Sequence, residues 1–145
     1  MEEANVKMET KPEKAGAESA MPTKFGYALF RDYILPSVLG RHEEEILYWA
    51  GKELAAEFPL FDMDETAGFF MEAGWGTLTC ESAGKRERVY VLETETEQAK
   101  KGRRCYSVEA GFLAGQYQKI HNRVSECRPE PDCRQGVVKL TLAWE

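Results

Sequence analysis

Cys105-Tyr106-Ser107-Val108-Glu109-Ala110-Gly111-Phe112-Leu113-Ala114-Gly115 is the stretch on which the reading of this chain turns. Read as a helix, it carries a stripe with almost no side chain. Ala110 and Ala114 are four apart, as are Gly111 and Gly115, so the four fall on neighbouring faces. Two glycines inside a helix cost roughly 1–2 kcal/mol relative to alanine. A loss of that size is offset when a strand, another helix or a ligand approaches the backbone closely. Phe112, Leu113, Tyr117, Ile120 and Val124 supply large apolar groups around the stripe. The pattern predicts a central helix from about Ser107 to Val124, packed at the middle of one domain.

Working outward, the C-terminal side ends in the clearest strand pattern. Val138, Leu140, Leu142 and Trp144 alternate with Lys139, Thr141 and Ala143. On the N-terminal side, Thr77–Ser82 and Arg88–Leu92 read as a hairpin turned at Ala83-Gly84-Lys85. The polar residues between Thr94 and Arg104 read as an exposed connection. Further upstream, Asp62-Met63-Asp64-Glu65 has the spacing of a capping box and opens a short helix carrying Phe69 and Phe70, stopped by Gly74. A longer helix from about Glu43 to Phe58 would bury Ile46, Leu47, Ala50, Leu54 and Phe58, with Gly51 marking close backbone packing. Phe25, Leu29, Phe30, Tyr33 and Ile34 mark a first helix, which Pro36 should end or kink. Met1 to about Lys24 is polar, lacks a periodic apolar face and is expected to be a disordered tail. Helices followed by strands, with one helix interrupting them, imply an α+β domain over residues 25–145. Its mostly antiparallel sheet, of about four strands, should carry the N-terminal helices and the central helix on one face.

The formal net charge of −6 and the lack of a basic stripe argue against a nucleic-acid partner. No apolar run reaches the ~20 residues of a membrane span, and the N-terminus lacks the apolar core of a signal peptide. A cytoplasmic location is the expectation. Four cysteines in such a chain read as thiols or metal ligands rather than a disulfide framework.

Certain blocks resemble a known family. These are Tyr48-Trp49-Ala50-Gly51-Lys52, Phe69 through Thr79 with Trp75 at its centre, Glu109-Ala110-Gly111-Phe112, Ile34-Leu35-Pro36 and Leu39-Gly40. Together they look like the YslB family of small uncharacterised proteins from Gram-positive bacteria, over about Phe25 to Trp144. The resemblance implies the ligand-binding fold shared by heme-based nitric-oxide sensors and Golgi transport-complex subunits, and it implies no assigned activity. Cys105, the Ala110–Gly115 run, Cys127 and Asp132-Cys133-Arg134 are similar, more loosely, to the four-vinyl-reductase domain, some members of which hold zinc at a cysteine-bearing end. The spacing of Cys127 and Cys133 departs from that pattern.

Three readings of candidate sites follow. Trp49, Phe70, Trp75, Gly111, Phe112, Gly115 and Tyr117 would line a pocket for a small hydrophobic ligand, or a homodimer contact; ordinary core is the competing reading. Glu72, Thr77 and Gln116 would be its polar groups. Cys105, Cys127 and Cys133 would hold zinc, with Cys80 or His121 as the fourth ligand; the alternative is small buried hydrophobes and idle loop thiols. Heme is not expected: only His42 and His121 are available, and the Tyr-x-Ser-x-Arg clamp that the sensors use is absent. No Gly-rich phosphate loop, nucleophile elbow or paired-histidine metal motif occurs, and Glu72 and Glu109 lack a partner that would make them a catalytic pair. The expectation is a non-enzymatic binding, dimerising or scaffold module, with a zinc-containing regulatory domain as the alternative.

Overall fold

Thr23 opens the first helix. Its hydroxyl accepts a hydrogen bond from the Gly26 amide at 2.9 Å, capping α1, Lys24–Ala28. The computed structural model describes residues 22–94 and 104–145. The polar stretch read as a disordered tail lies, through residue 21, outside the described residues, and so do residues 95–103 of the connection.

Pro36 does not end the helix. Proline has no amide to donate, and its ring would collide with the carbonyl four residues back. The turn ahead of it is widened instead: Leu29–Ile34 is a π-helix, and the Leu35 amide bonds to the Phe30 carbonyl, five residues back. Helical geometry resumes in α2, Leu35–Leu39, and stops at Gly40, whose φ of +60° suits glycine. Ser37, Val38 and Leu39 are therefore helical. The side of this rod that faces the protein is its polar one. Ala28, Arg31 and Asp32 are buried, while Phe25, Phe30 and Val38 are 70%, 50% and 74% exposed.

Helix α3, Glu43–Glu57, buries Leu47, Gly51 and Ala55. Ile46 and Phe58, expected inside, are exposed. The contact face is rotated toward the smallest residues because the neighbouring helix comes within touching distance of the backbone. Asp62 caps the next turn through the Asp64 amide at 2.8 Å, and α4, Thr66–Glu72, follows a 3-10 turn at Met63–Glu65. The stop at Gly74, with φ +77°, is as expected.

The sheet is antiparallel and four-stranded: β1, Thr77–Ala83; β2, Glu87–Glu93; β3, Ser125–Asp132; and β4, Val137–Trp144, in the spatial order β1-β2-β4-β3. Leu78, Tyr90, Leu92, Val138, Leu140 and Leu142 are its buried face. Leu78 and Cys80 do not share a fate: Leu78 is buried and Cys80 exposed, just before an irregularity in the β1–β2 register at Cys80/Ser82. The central helix, α5, runs Ser107–His121 and ends at Asn122 in the left-handed region, φ 54°, so Val124 lies beyond it and is exposed. Arg104, expected in an exposed connection, is buried.

Residues 125–132 form the edge strand β3, so Cys127, read as an idle loop thiol or a metal ligand, lies in a strand. Two prolines fit there for a geometric reason. The Trp144 amide bonds to the Arg86 carbonyl, on the β2 side. Alternation along the ladder then turns the main-chain groups of Cys127, Pro129 and Pro131 away from β4. The prolines therefore sit where no ladder donor is lost, and the Cys127 amide donates to the Tyr48 hydroxyl at 3.0 Å.

Candidate functional site

The small-residue stripe is filled from within. A Cβ on Gly111 would overlap the Tyr48 carbonyl oxygen of α3, and one on Gly115 would lie 2.8 Å from the Ala55 Cβ. The contact is reciprocal, because a Cβ on Gly51 would overlap the Val108 carbonyl oxygen and lie 2.8 Å from the Phe112 amide nitrogen. Gly51-x-x-x-Ala55 on α3 thus meets Gly111-x-x-x-Gly115 on α5, backbone against backbone. The element that approaches the stripe is α3.

Phe70, Trp75 and Phe112 do come together. Phe112 stacks on Phe69 with centroids 4.4 Å apart, and Trp75 meets Phe70 and Phe112 edge-on at 4.8 and 5.6 Å. Phe70 and Phe112 are fully buried, so this cluster is packed core. Tyr117 belongs to a different group, stacked on Trp144 at 4.3 Å and beside His121 at 4.2 Å. Trp49 is 63% exposed on the outside of α3, away from the core face. Gln116 is buried and clamps the loop after α3, its amide donating to the Phe58 carbonyl at 2.7 Å and its oxygen accepting from the Leu60 amide at 3.1 Å. Glu72 and Thr77 are exposed.

The cysteines are dispersed. Cys127 is the third residue of β3 and Cys133 follows its end, six residues on, a separation of about 20 Å at strand rise. Cys105 precedes α5 and His121 ends it, about 24 Å apart at helical rise. Among the described residues no three His, Cys, Asp or Glu side chains gather as a metal would require. The residues proposed for zinc do not fit it. All four thiols are free, and burial raises the pKa of Cys105 and, much more strongly, of Cys127. We expect a thiol reagent to modify exposed Cys80 and Cys133 quickly and Cys127 only after denaturation, read by mass spectrometry of the labelled peptides.

The polar centre of the domain lies where the π-turn meets the start of α5. Arg31 Nη2 donates to both Glu109 oxygens, at 2.9 and 3.1 Å, and to the Cys105 carbonyl at 2.8 Å; Nη1 donates to the Tyr27 hydroxyl at 2.7 Å. Arg104 grips Asp32 through Nε at 2.8 Å and Nη2 at 3.1 Å. Both guanidinium groups lie over the Tyr27 ring. All four charged residues are buried. Burial works against the Arg31 charge, but the Glu109 carboxylate and the Tyr27 hydroxyl outweigh it and raise its pKa. Arg31 Nε and Glu43 Oε2 are buried without a hydrogen-bond partner among the described residues. Burial also raises the Glu43 pKa, against the nearby Arg31 charge. These pairs are charge-balanced structural locks rather than an acid–base couple, since each carboxylate is already held by a guanidinium. Sequence reasoning missed them. The available signal was that Ala28, Arg31, Asp32 and Leu35 also recur at helical spacing, opposite the apolar positions.

Proteins of known structure share this order of helices over an antiparallel sheet. A vinyl-4-reductase family protein from Methanocaldococcus jannaschii superposes with a TM-score of 0.63 at 17% identity, covering 88% of this chain and 85% of that one. An Fe(II) unliganded H-NOX protein variant from K. algicida gives 0.51 at 11% identity, covering 76% and 67%. Both likenesses show the fold alone. Within it the chain belongs to the DUF2507 family, described as proteins of unknown function, whose pattern matches residues 24–143. It is 39% identical over 124 residues to uncharacterized protein YslB of Bacillus subtilis (strain 168), covering 83% of this chain and 84% of that protein.

Proposed function

We propose that this chain is a non-enzymatic module that works as a homodimer through the outer face of α1, the π-turn and α2. The observation that supports this is the exposed row Phe25, Leu29, Phe30, Ile34 and Val38, between 39% and 74% accessible. At about 150–200 Å² per side chain, the row presents roughly 500 Å² of apolar surface, at the upper end of what monomers leave bare. Ile46 and Trp49 on α3, 42% and 63% exposed, bring the total to roughly 700 Å², close to the ~800 Å² each partner gives to a standard interface. The chain's own N-terminal segment is a poor cover, since Met1, Val6, Met8 and Met21 are the only large apolar side chains in residues 1–21. A second copy is a better match. Antiparallel rods related by a two-fold axis would bring Lys24 of one copy to Glu44 and Glu45 of the other. The glycine stripe, an earlier candidate for this contact, is occupied by α3.

Sedimentation equilibrium is the test. Wild type is expected to weigh as a dimer at about 10 μM, and Phe30→Glu with Val38→Glu as a folded monomer whose melting temperature, unlike that of wild type, does not depend on protein concentration. A wild-type monomer at about 200 μM would remove the proposal.

A further inference from the structure

Behind the start of α1 lies a cavity of about 210 Å³, formed where Lys24 and Tyr27 face the Met71–Thr77 turn and the end of β2. At about 30 Å³ per water, it has room for roughly seven water-sized groups. Its place is fixed by backbone. Gly76, at φ +133°, is pressed so close to the Glu93 carbonyl oxygen that a Cβ there would overlap it, and the Trp75 amide is tied to the Phe70 carbonyl at 2.9 Å. Trp75, Tyr27 and Met71 give the cavity an apolar wall.

Its polar wall is balanced in charge and short of hydrogen bonds. The Arg104 guanidinium on the lining is already neutralised by Asp32 in a two-point bond, and the lining also carries one further cation, Lys24, and one further anion, Glu93. Among the described residues the charges of the lining therefore cancel, which favours an uncharged ligand. Thr94 lines the cavity, and its hydroxyl is buried without a partner among the described residues. Beside it, the Tyr106 hydroxyl is also buried and unpartnered. Burial raises the Tyr106 pKa and outweighs Thr94, the polar neighbour that favours the charged form of Tyr106, so the phenol stays neutral. A buried polar group normally has a hydrogen-bond partner, so a molecule seated in the cavity would find these hydroxyls ready to pair.

We infer that this cavity binds a small uncharged molecule with an apolar body of about seven heavy atoms and one hydrogen-bonding head, such as an alcohol or amide. The body lies against Trp75 and Met71, and the head reaches the Thr94 hydroxyl.

The test uses the full chain and three near-isosteres: cyclohexylmethanol, cyclohexanecarboxylate and cyclohexylmethylammonium. Binding is followed by the indole and amide signals of Trp75 and Gly76 in proton–nitrogen NMR, assigned with Trp75→Phe. The alcohol is expected to shift both signals with a dissociation constant of about 1 mM or tighter, and the charged analogues to bind at least about tenfold more weakly. Thr94→Val should weaken the alcohol by about tenfold without moving the melting temperature. Tyr106→Phe serves as a second variant if Thr94→Val unfolds. Several outcomes would overturn the assignment: no shift up to about 20 mM, shifts confined to exposed Trp49, equal binding of a charged analogue, or unchanged affinity in both variants.

Discussion

Gly111→Leu is expected to unfold the domain or to lower its melting temperature by about 10 °C or more. At Gly111 the first added carbon already overlaps the Tyr48 carbonyl and lies 3.2 Å from the Lys52 amide nitrogen. Both are backbone atoms in the middle of α3 and cannot swing aside as a side chain tip would. The two helices must separate, and with them goes the burial of Leu47, Ala55 and Phe112. Overfilling a core costs typically 1–3 kcal/mol, and contact with rigid backbone puts this case at or above the upper end. Gly68→Ala is the control. Nothing lies within 4 Å of the added carbon there, and Gly68 sits within α4, so stability should rise by roughly 0.5–1 kcal/mol. Thermal and urea unfolding of both variants measures the contrast. A Gly111→Leu protein as stable as wild type would show that α3 and α5 do not meet as described.

The second large effect concerns charge. Glu109→Ala should cost about 3–5 kcal/mol, because it leaves the buried Arg31 guanidinium without its carboxylate. Arg31→Met should cost a similar amount by stranding Glu109. The double change Arg31→Met with Glu109→Leu should recover most of the loss, since a buried pair is often no more stable than well-packed apolar groups of its size. Urea unfolding of the four proteins closes a double-mutant cycle. Additive losses would mean that the pair does not interact through the 2.9 Å contact seen here.

Much of the architecture could be read from the residues. The hairpin and the final strand declare themselves by alternation, and period two has few imitators when one face is bare to water. The central helix was legible from its glycines, and so was the demand for a close neighbour. The neighbour itself was half visible: Gly51 stood out in α3, but the large residues around it drew the expected inner face toward Ile46 and Phe58. The first helix does not end at Pro36, because a widened turn accommodates proline at the level of hydrogen bonding and leaves no mark on apolar spacing. Its facing was hidden for a deeper reason. Apolar periodicity points inward only when the core takes apolar groups, and here α5 offers Glu109 and the preceding loop offers Arg104. The cysteine grouping failed because sequence order suggested proximity, whereas Cys127 and Cys133 bracket an extended strand and are held apart by its length.

Strand β3 has a consequence for how molecules of this kind can accumulate. A sheet margin normally acts as a template on which further chains are laid, and growth of that sort has no natural end. Along this margin two of the outward positions, Pro129 and Pro131, have no proton to give, and that of Cys127 is already committed to Tyr48. An incoming chain would find acceptors without donors to match and could not be stitched on. On this flank the molecule is terminated, and fibre growth has no foothold there.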